Sequence, residues 1–257
     1  MRNEVDFKVK IKERFTKADY FCKYLLAETP QGQSMSFISN LFSPSDNPDS
    51  LGAKFRNQRQ KDFEDLFFLN FSKNDPIRVL DVGGASYFWD NSILPSLPNI
   101  EIVLLNLGQE KTTHPKIKSV IGDATNMSEF DDNSFDLVFS NSVIEHLYTW
   151  ENQQNMANEI IRVGKKHFIQ TPNRNFPVEA HYAIPFAQYL PQSLLYFLLT
   201  KTKMSRLQKW NPKDAQQYLD EIRLLDQNEM KCLFPDSNMY LEKFMGMTKS
   251  ISAHNLS

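Results

Sequence analysis

The residues best suited to chemistry fall in a few short stretches. In Arg78-Val79-Leu80-Asp81-Val82-Gly83-Gly84-Ala85-Ser86-Tyr87-Phe88-Trp89 an apolar run leads into an acidic residue and then glycines. A buried strand that ends this way presents its carboxyl end to a ligand, and glycine lets a cofactor come close to the backbone. Further on, Glu145-His146 and Glu179-Ala180-His181 set carboxylates beside imidazoles. Imidazole has its ordinary pKa near neutrality, so His181 is a candidate base, Glu179 a candidate to orient it, and His146 a candidate contact on the cofactor side. On an extended chain Glu179 and His181 would point to opposite faces. A histidine that merely ties down its own segment is the alternative. Arg56 and Arg59 share a helix face, either as a clamp for a substrate carboxylate or phosphate or as a solvated surface.

Other chemistries fit less well. Gly83-x-Ala85-x-x-Phe88 fails the dinucleotide fingerprint, because Ala and Phe add bulk where pyrophosphate approach and tight helix–strand packing need glycine. A nicotinamide-dependent oxidoreductase therefore stands second. Glu145, His146, Glu179 and His181 include no helical i, i+4 ligand pair, and no metal site is expected from their spacing. Cys22 and Cys232 lie far apart with no ligand or disulfide partner at suitable spacing, which fits a reducing, cytoplasmic setting.

Composition sets outer bounds. The chain has 257 residues, 41% hydrophobic and 23% charged, with a net charge of -2. One elaborated domain can be built from this length. The charge gives no electrostatic reason to expect nucleic acid as a partner. No apolar run approaches the ~20 residues that span a bilayer, and the start of the chain lacks the apolar core of a secretory signal.

The elements that must position these residues are legible as alternation. Strands are expected at Ile77 to Val82, Ile100 to Leu105, Ile117 to Ile121, Phe135 to Phe139 and His167 to Thr171, with helical segments between them and one long crossover helix from Val143 to Val163. That is the pattern of parallel strands in an α/β sheet. Met239 to Phe244 and Thr248 to Ala253, divided by Gly246, read as an antiparallel edge. Helical spacing marks a segment from Lys8 to Glu28 and another from Ser50, whose apolar stripe is Phe55, Phe63, Leu66, Phe67 and Leu69. A short helix covers Asn228 to Phe234. The expected organisation is an N-terminal helical cap over 1–75 and a doubly wound domain over 76–257. Its mostly parallel seven-stranded sheet carries an antiparallel last strand. Residues from about 173 to 226, punctuated by prolines and rich in Phe, Tyr and Leu, read as a helical lid. Within it, Tyr189 to Leu199 would pack in the lid core, line a pocket for an apolar substrate or lie on a membrane surface.

Val79-Leu80-Asp81-Val82-Gly83-Gly84 resembles the first motif of class I methyltransferases that use S-adenosylmethionine, in which an acidic residue is followed by glycines at alternating positions. Here Gly83 keeps that register, and Ala85 and Tyr87 take the other places. The resemblance implies that Asp81, Gly83, Gly84 and Ala85 hold the methionine part of the cofactor. It also implies that Asn106 and Leu107 meet the ribose, Asn106 standing where the family has an acid, and that Asp123 and Ala124 meet the adenine. Asn141 and Ser142 would line the cofactor beside the transferred methyl. For Asn106 and Asp123 the plainer reading is a turn residue. The order Gln170-Thr171-Pro172-Asn173, then Glu179-x-His181-Tyr182, is similar to a bacterial subgroup. Tyr182 in that tract joins Arg56 and Arg59, read above from their helix face, as a candidate substrate contact. The function implied is methylation, on oxygen or nitrogen, of a small-molecule acceptor such as a specialised metabolite, a sugar or a lipid-like compound. A non-catalytic module with this fold is a further alternative.

Overall fold

The computed structural model describes residues 51–112, 114–179 and 181–257. The expected helix from Lys8 to Glu28 and Cys22 lie outside the described residues. Helix α1 (Leu51–Asn70) comes first, followed by strands β1 (Ile77–Val82), β2 (Ile100–Asn106), β3 (Ile117–Ile121) and β4 (Phe135–Asn141). Helix α2 (Trp150–Val163) leads to β5 (Gly164–Pro172), helices α3 (Gln192–Lys201), α4 (Pro212–Glu221) and α5 (Gln227–Leu233) follow, and β6 (Asn238–Phe244) and β7 (Met247–His254) complete the order.

The strands form one seven-stranded sheet in the order β3-β2-β1-β4-β5-β7-β6. Pairing is parallel from β3 through β5. Only β7 runs against its neighbours, sitting antiparallel between β5 and β6. This is the doubly wound, mostly parallel sheet with a reversed last strand that the sequence leads one to expect. Its strand order turns around between β1 and β4, the kind of switch point where open α/β sheets bind ligands.

Strand alternation gives the sheet two apolar faces. Leu80 and Val82 of β1 join Met156, Ala157, Ile160 and Val163 of α2 and Met230 and Leu233 of α5 in one core. Val79 and Ile77 face the other way, onto Phe63 and Phe67 of α1, Trp89 and Phe139. The rings of Phe63, Phe139 and Phe168 stack within 4.7 to 6.0 Å of one another, fixing α1 to the sheet. Leu69, placed in the α1 stripe by spacing, is 76% exposed instead, because the helix runs out one residue later at Asn70.

The connections depart from the expected alternation. Two short 3-10 turns, Ser86–Asn91 and Leu94–Ser96, replace a helix between β1 and β2, where Pro95 occupies an N-terminal helical position. The β2–β3 and β3–β4 connections hold no α-helix among the described residues. The long helix expected from Val143 is also divided: a 3-10 turn, Ile144–His146, comes first, and α2 begins only at Trp150. Tyr148, with φ of 62°, breaks the helical path, and Thr149 then starts α2 by accepting from the Asn152 backbone N–H.

The lid has its own core. Tyr182, Ile184, Ala187, Leu195, Leu199, Trp210, Ala215 and Leu219 pack together, apart from the two sheet cores. One face of α3, at Leu195 and Leu199, is buried there, while Leu194 and Phe197 on the opposite side stay exposed, as does Tyr189 just before the helix. Core packing thus accounts for half of the apolar tract. Where the lid returns to the sheet, Asp226 and Glu229 form a capping box on α5 and Arg174 bridges to both. Among the described residues no helix is long and apolar enough to cross a membrane.

Candidate active site

The carboxyl ends of β1, β2, β3 and β4 lie side by side, and each carries a residue singled out by the sequence. Gly83 leaves β1 with φ of 72°, a left-handed conformation that side chains rarely adopt. A Cβ there would also lie 2.5 Å from Val143. Gly84 is more tightly constrained, since its Cβ would sit 1.8 Å from the Asp81 carboxylate. The turn is thus shaped around bare backbone, and Gly83 remains exposed at the carboxyl end of the sheet.

Asp81 lies beneath this turn, 1% exposed. Its Oδ2 accepts from the Trp89 indole N–H at 2.8 Å, while Oδ1 is buried without a partner. Loss of water pushes its pKa up to about 7, against the smaller opposing effect of the Trp89 hydrogen bond. Trp89 packs on Phe139 and Phe88 in the α1-side core, and Tyr87 points outward at 59% exposure. The bare turn and the orphaned carboxylate oxygen fit a ligand that lies against main chain and offers a donor, as the methionine end of an adenosyl cofactor does.

The neighbouring positions serve both structure and site. Asn106 donates from Nδ2 to the Gly84 carbonyl at 2.8 Å, tying the end of β2 to the turn. Asp123 forms an Asx turn, its Oδ1 accepting from the Thr125 backbone N–H at 2.9 Å and from the Thr125 hydroxyl at 2.7 Å. Ser142, with φ of 58°, donates through Oγ to Gln170 Oε1 at 2.9 Å. Asn141 ends β4, and Ala85, Leu107 and Ala124 are half-buried around the same rim.

Just past Ser142 the character changes from backbone to buried charge. Glu145 is 0% exposed; its Oε2 accepts from the Thr171 hydroxyl at 3.0 Å, and Oε1 is buried without a partner. His146 Nδ1 lies 2.8 Å from Glu221 Oε1 at the end of α4. From the lid, His181 Nδ1 lies 2.6 Å from Glu179 Oε1. The two imidazoles meet edge to face with centroids 5.0 Å apart, and Tyr218 closes the group. Burial lowers the His181 pKa, yet Glu179 and Glu145 outweigh it, so His181 is held above its ordinary value.

The expectation that Glu179 and His181 face apart is corrected here. The chain is turned rather than extended: the Ala183 N–H bonds back to the Glu179 carbonyl at 2.9 Å, and Glu179 Oε2 accepts from the backbone N–H groups of His181 and Tyr182. The 3-10 turn is pinned by Gln153, buried on α2, which donates to the carbonyls of Ile144 and Arg223 at 2.9 Å each. Glu145 had been noted beside His146 without a role, and Glu221, Thr171 and Tyr218 had not been singled out as site residues. Glu145 stands next to His146 in sequence, whereas nothing in the sequence around Glu221 marks it.

The expected substrate contacts lie elsewhere. Arg59 is buried on α1, donating to Glu242 Oε2 of β6 at 2.9 Å, and burial draws its pKa down against the pull of Glu242. It is a structural tie rather than an open clamp. Arg56, half-buried a turn earlier on α1, is not brought to the histidines. Tyr182, 4% exposed, packs on Trp210 inside the lid core.

Strand order places the protein in the doubly wound α/β class. Residues 97–167 match the family model of a methyltransferase domain. This stretch, from just before β2 to the start of β5, is thus similar to a domain whose members take S-adenosylmethionine as cofactor. No curated protein matches the chain in sequence. Among solved structures the fold is similar to a Bordetella parapertussis protein described as a possible exported protein, at 12% identity and a TM-score of 0.52, over 93% of this chain and 79% of that one. An S-adenosylmethionine-dependent methyltransferase from Aquifex aeolicus is also similar, at 13% identity and a TM-score of 0.44, over 87% of this chain and 99% of that one. Another, from Methanosarcina mazei, has 13% identity and a TM-score of 0.44, over 74% and 97%.

Proposed function

We propose that the enzyme methylates an oxygen or nitrogen of a small molecule held between the lid and the carboxyl ends of β4 and β5. The observation that carries this reading is the meeting of His146 and His181, centroids 5.0 Å apart, directly beyond the strand end that lines the cofactor crevice. In this proposal Asp81, Gly83, Gly84, Ala85, Asn106, Leu107, Asp123, Ala124, Asn141 and Ser142 hold the cofactor. When bound, S-adenosylmethionine supplies a methyl group already activated for displacement. The protein's work is then to place the acceptor in line and to handle its proton.

His181, oriented through Nδ1 by Glu179, turns its other ring nitrogen to the acceptor; His146, oriented by Glu221, flanks it. The lid shields the acceptor from water. A net charge of -2 goes with a small molecule rather than a nucleic acid, and the cytoplasmic setting is kept as part of the same proposal.

Calorimetric titration with S-adenosylhomocysteine and with NAD tests the reading. Binding of the sulfur nucleotide at micromolar concentration is expected. Binding of NAD alone would replace the methyltransferase reading with an oxidoreductase, and binding of neither would favour a non-catalytic module. Release of S-adenosylhomocysteine across a panel of hydroxyl and amine acceptors would then name the substrate class.

A further inference from the structure

We propose that Glu145, His146 and His181 hold one divalent first-row cation, zinc by preference, and that its open position takes an oxygen of the acceptor. The binding half stands on the geometry alone; the acceptor half rests on the methyl-transfer reading above, with the ion taking the place of His181 as the group that meets the acceptor oxygen and favours loss of its proton.

One ligand atom from each of the three residues lies within 4.8 Å of the others. Bonds of about 2.0–2.2 Å to a tetrahedral ion place ligand atoms roughly 3.4 Å apart, a closure that modest side-chain rotation supplies. Both histidines use Nδ1 on a carboxylate, His146 on Glu221 at 2.8 Å and His181 on Glu179 at 2.6 Å. Their Nε2 atoms are thereby left for the centre. A carboxylate behind each imidazole is the arrangement that orients metal-binding histidines and raises their basicity. Glu145 supplies the independent observation: it is 0% exposed, and its Oε1 is buried without a partner.

Charge points the same way. Glu145, Glu179 and Glu221 are 0%, 3% and 5% exposed, a concentration of buried carboxylates around two imidazoles. Buried charge is costly unless it is paired or bound to metal. Of the nearby cations, Arg206 acts on His181, while Arg223 is turned to Gln153 and Glu229. Two histidines and one carboxylate with a vacant fourth position form a donor set used for zinc and for iron(II). Sequence spacing spoke against a metal because it cannot register that the lid returns His181 to the turn carrying Glu145 and His146.

The test uses the full, tag-free chain, stripped with a chelator and titrated calorimetrically with Zn²⁺. One ion per chain is expected. Glu145→Gln, His146→Ala and His181→Ala should each weaken binding at least 10-fold, and Glu221→Gln by about 10- to 100-fold. S-Adenosylhomocysteine titration of the same variants reports folding and separates the two readings, since cofactor binding without zinc binding overturns this proposal alone. Absence of saturable binding, or unaltered affinity in both histidine variants, overturns it. Should a variant fail to fold, Co²⁺ in the unaltered chain decides. Strong visible bands of a four- or five-coordinate ion support the site, and the weak bands of a six-coordinate aqueous ion overturn it.

Discussion

The proposed cofactor side and the proposed acceptor side of this crevice are built from different materials. After β1, β2 and β3 the working surface is main chain: a glycine turn, a carbonyl held by Asn106 and an Asx turn at Asp123. Beyond β4 it is side-chain charge, three buried carboxylates and two imidazoles drawn from the 3-10 turn, the lid and α4. The first side recognises a ligand by leaving room, and the second by placing groups. Each should therefore fail in its own way.

The largest expected effect is on the side of room. Gly83→Val combines a disfavoured φ with a Cβ placed 2.5 Å from Val143, and should abolish S-adenosylhomocysteine binding in calorimetry. An unchanged titration curve would put the cofactor elsewhere and dissolve the contrast. Next comes His181→Ala, expected to lower turnover by about 10²- to 10⁴-fold while cofactor affinity stays within about 3-fold. Full turnover with an identified acceptor would reduce the histidine to a tie for the lid.

Arg59→Met sharpens the comparison by removing a residue assigned to neither side. Removing it leaves Glu242 held by Lys249 alone and should cost about 1.5–3 kcal/mol of stability in denaturant unfolding, with little change in KM for the acceptor. A raised KM at constant stability would restore it as a clamp.

A smaller effect is expected from Asp81, whose folded pKa near 7 stands above its unfolded value of 3.8. The fold then favours the protonated carboxyl, so the stabilisation is complete below about pH 4 and is lost as pH rises through 7. Thermal unfolding of the cofactor-free protein should show stability gained between pH 8 and pH 5, by about 2–3 kcal/mol from this group. Asp81→Asn should flatten that dependence, raise the melting temperature at pH 8 and weaken cofactor binding. A profile equal to that of the parent chain would show that Asp81 does not titrate in this range.

The same division explains what was legible in the sequence. Backbone sites announce themselves locally, because a left-handed turn after a buried strand demands glycine, and Gly83 and Gly84 follow β1 directly. The strands were readable for a similar reason: each interior run is apolar on both faces, as in Val103-Leu104-Leu105. Where a strand begins in polar residues the signal vanishes, so β5 starts at Gly164 rather than His167, held there by pairing with Phe135. The acceptor-side cluster was half legible. His146, Glu179 and His181 attract attention by type, but Glu221 joins them only because α4 folds back, and Glu145 gains weight only through its complete burial. Arg59 misled for the opposite reason: an arginine on a helix face looks the same in sequence whether it meets water or a buried glutamate.

The position of β7 has a consequence for synthesis. It is the last strand made, yet it fills the place between β5 and β6. Until residues 247–254 leave the ribosome, β5 presents an unpaired edge, and its Phe168-Ile169 pair lies in a hydrogen-bonding row open to other nascent chains. Folding of this sheet is thereby tied to the synthesis of residues 247–254, so slowed elongation or truncation ahead of Met247 should divert the chain towards aggregation rather than leave a smaller working fold.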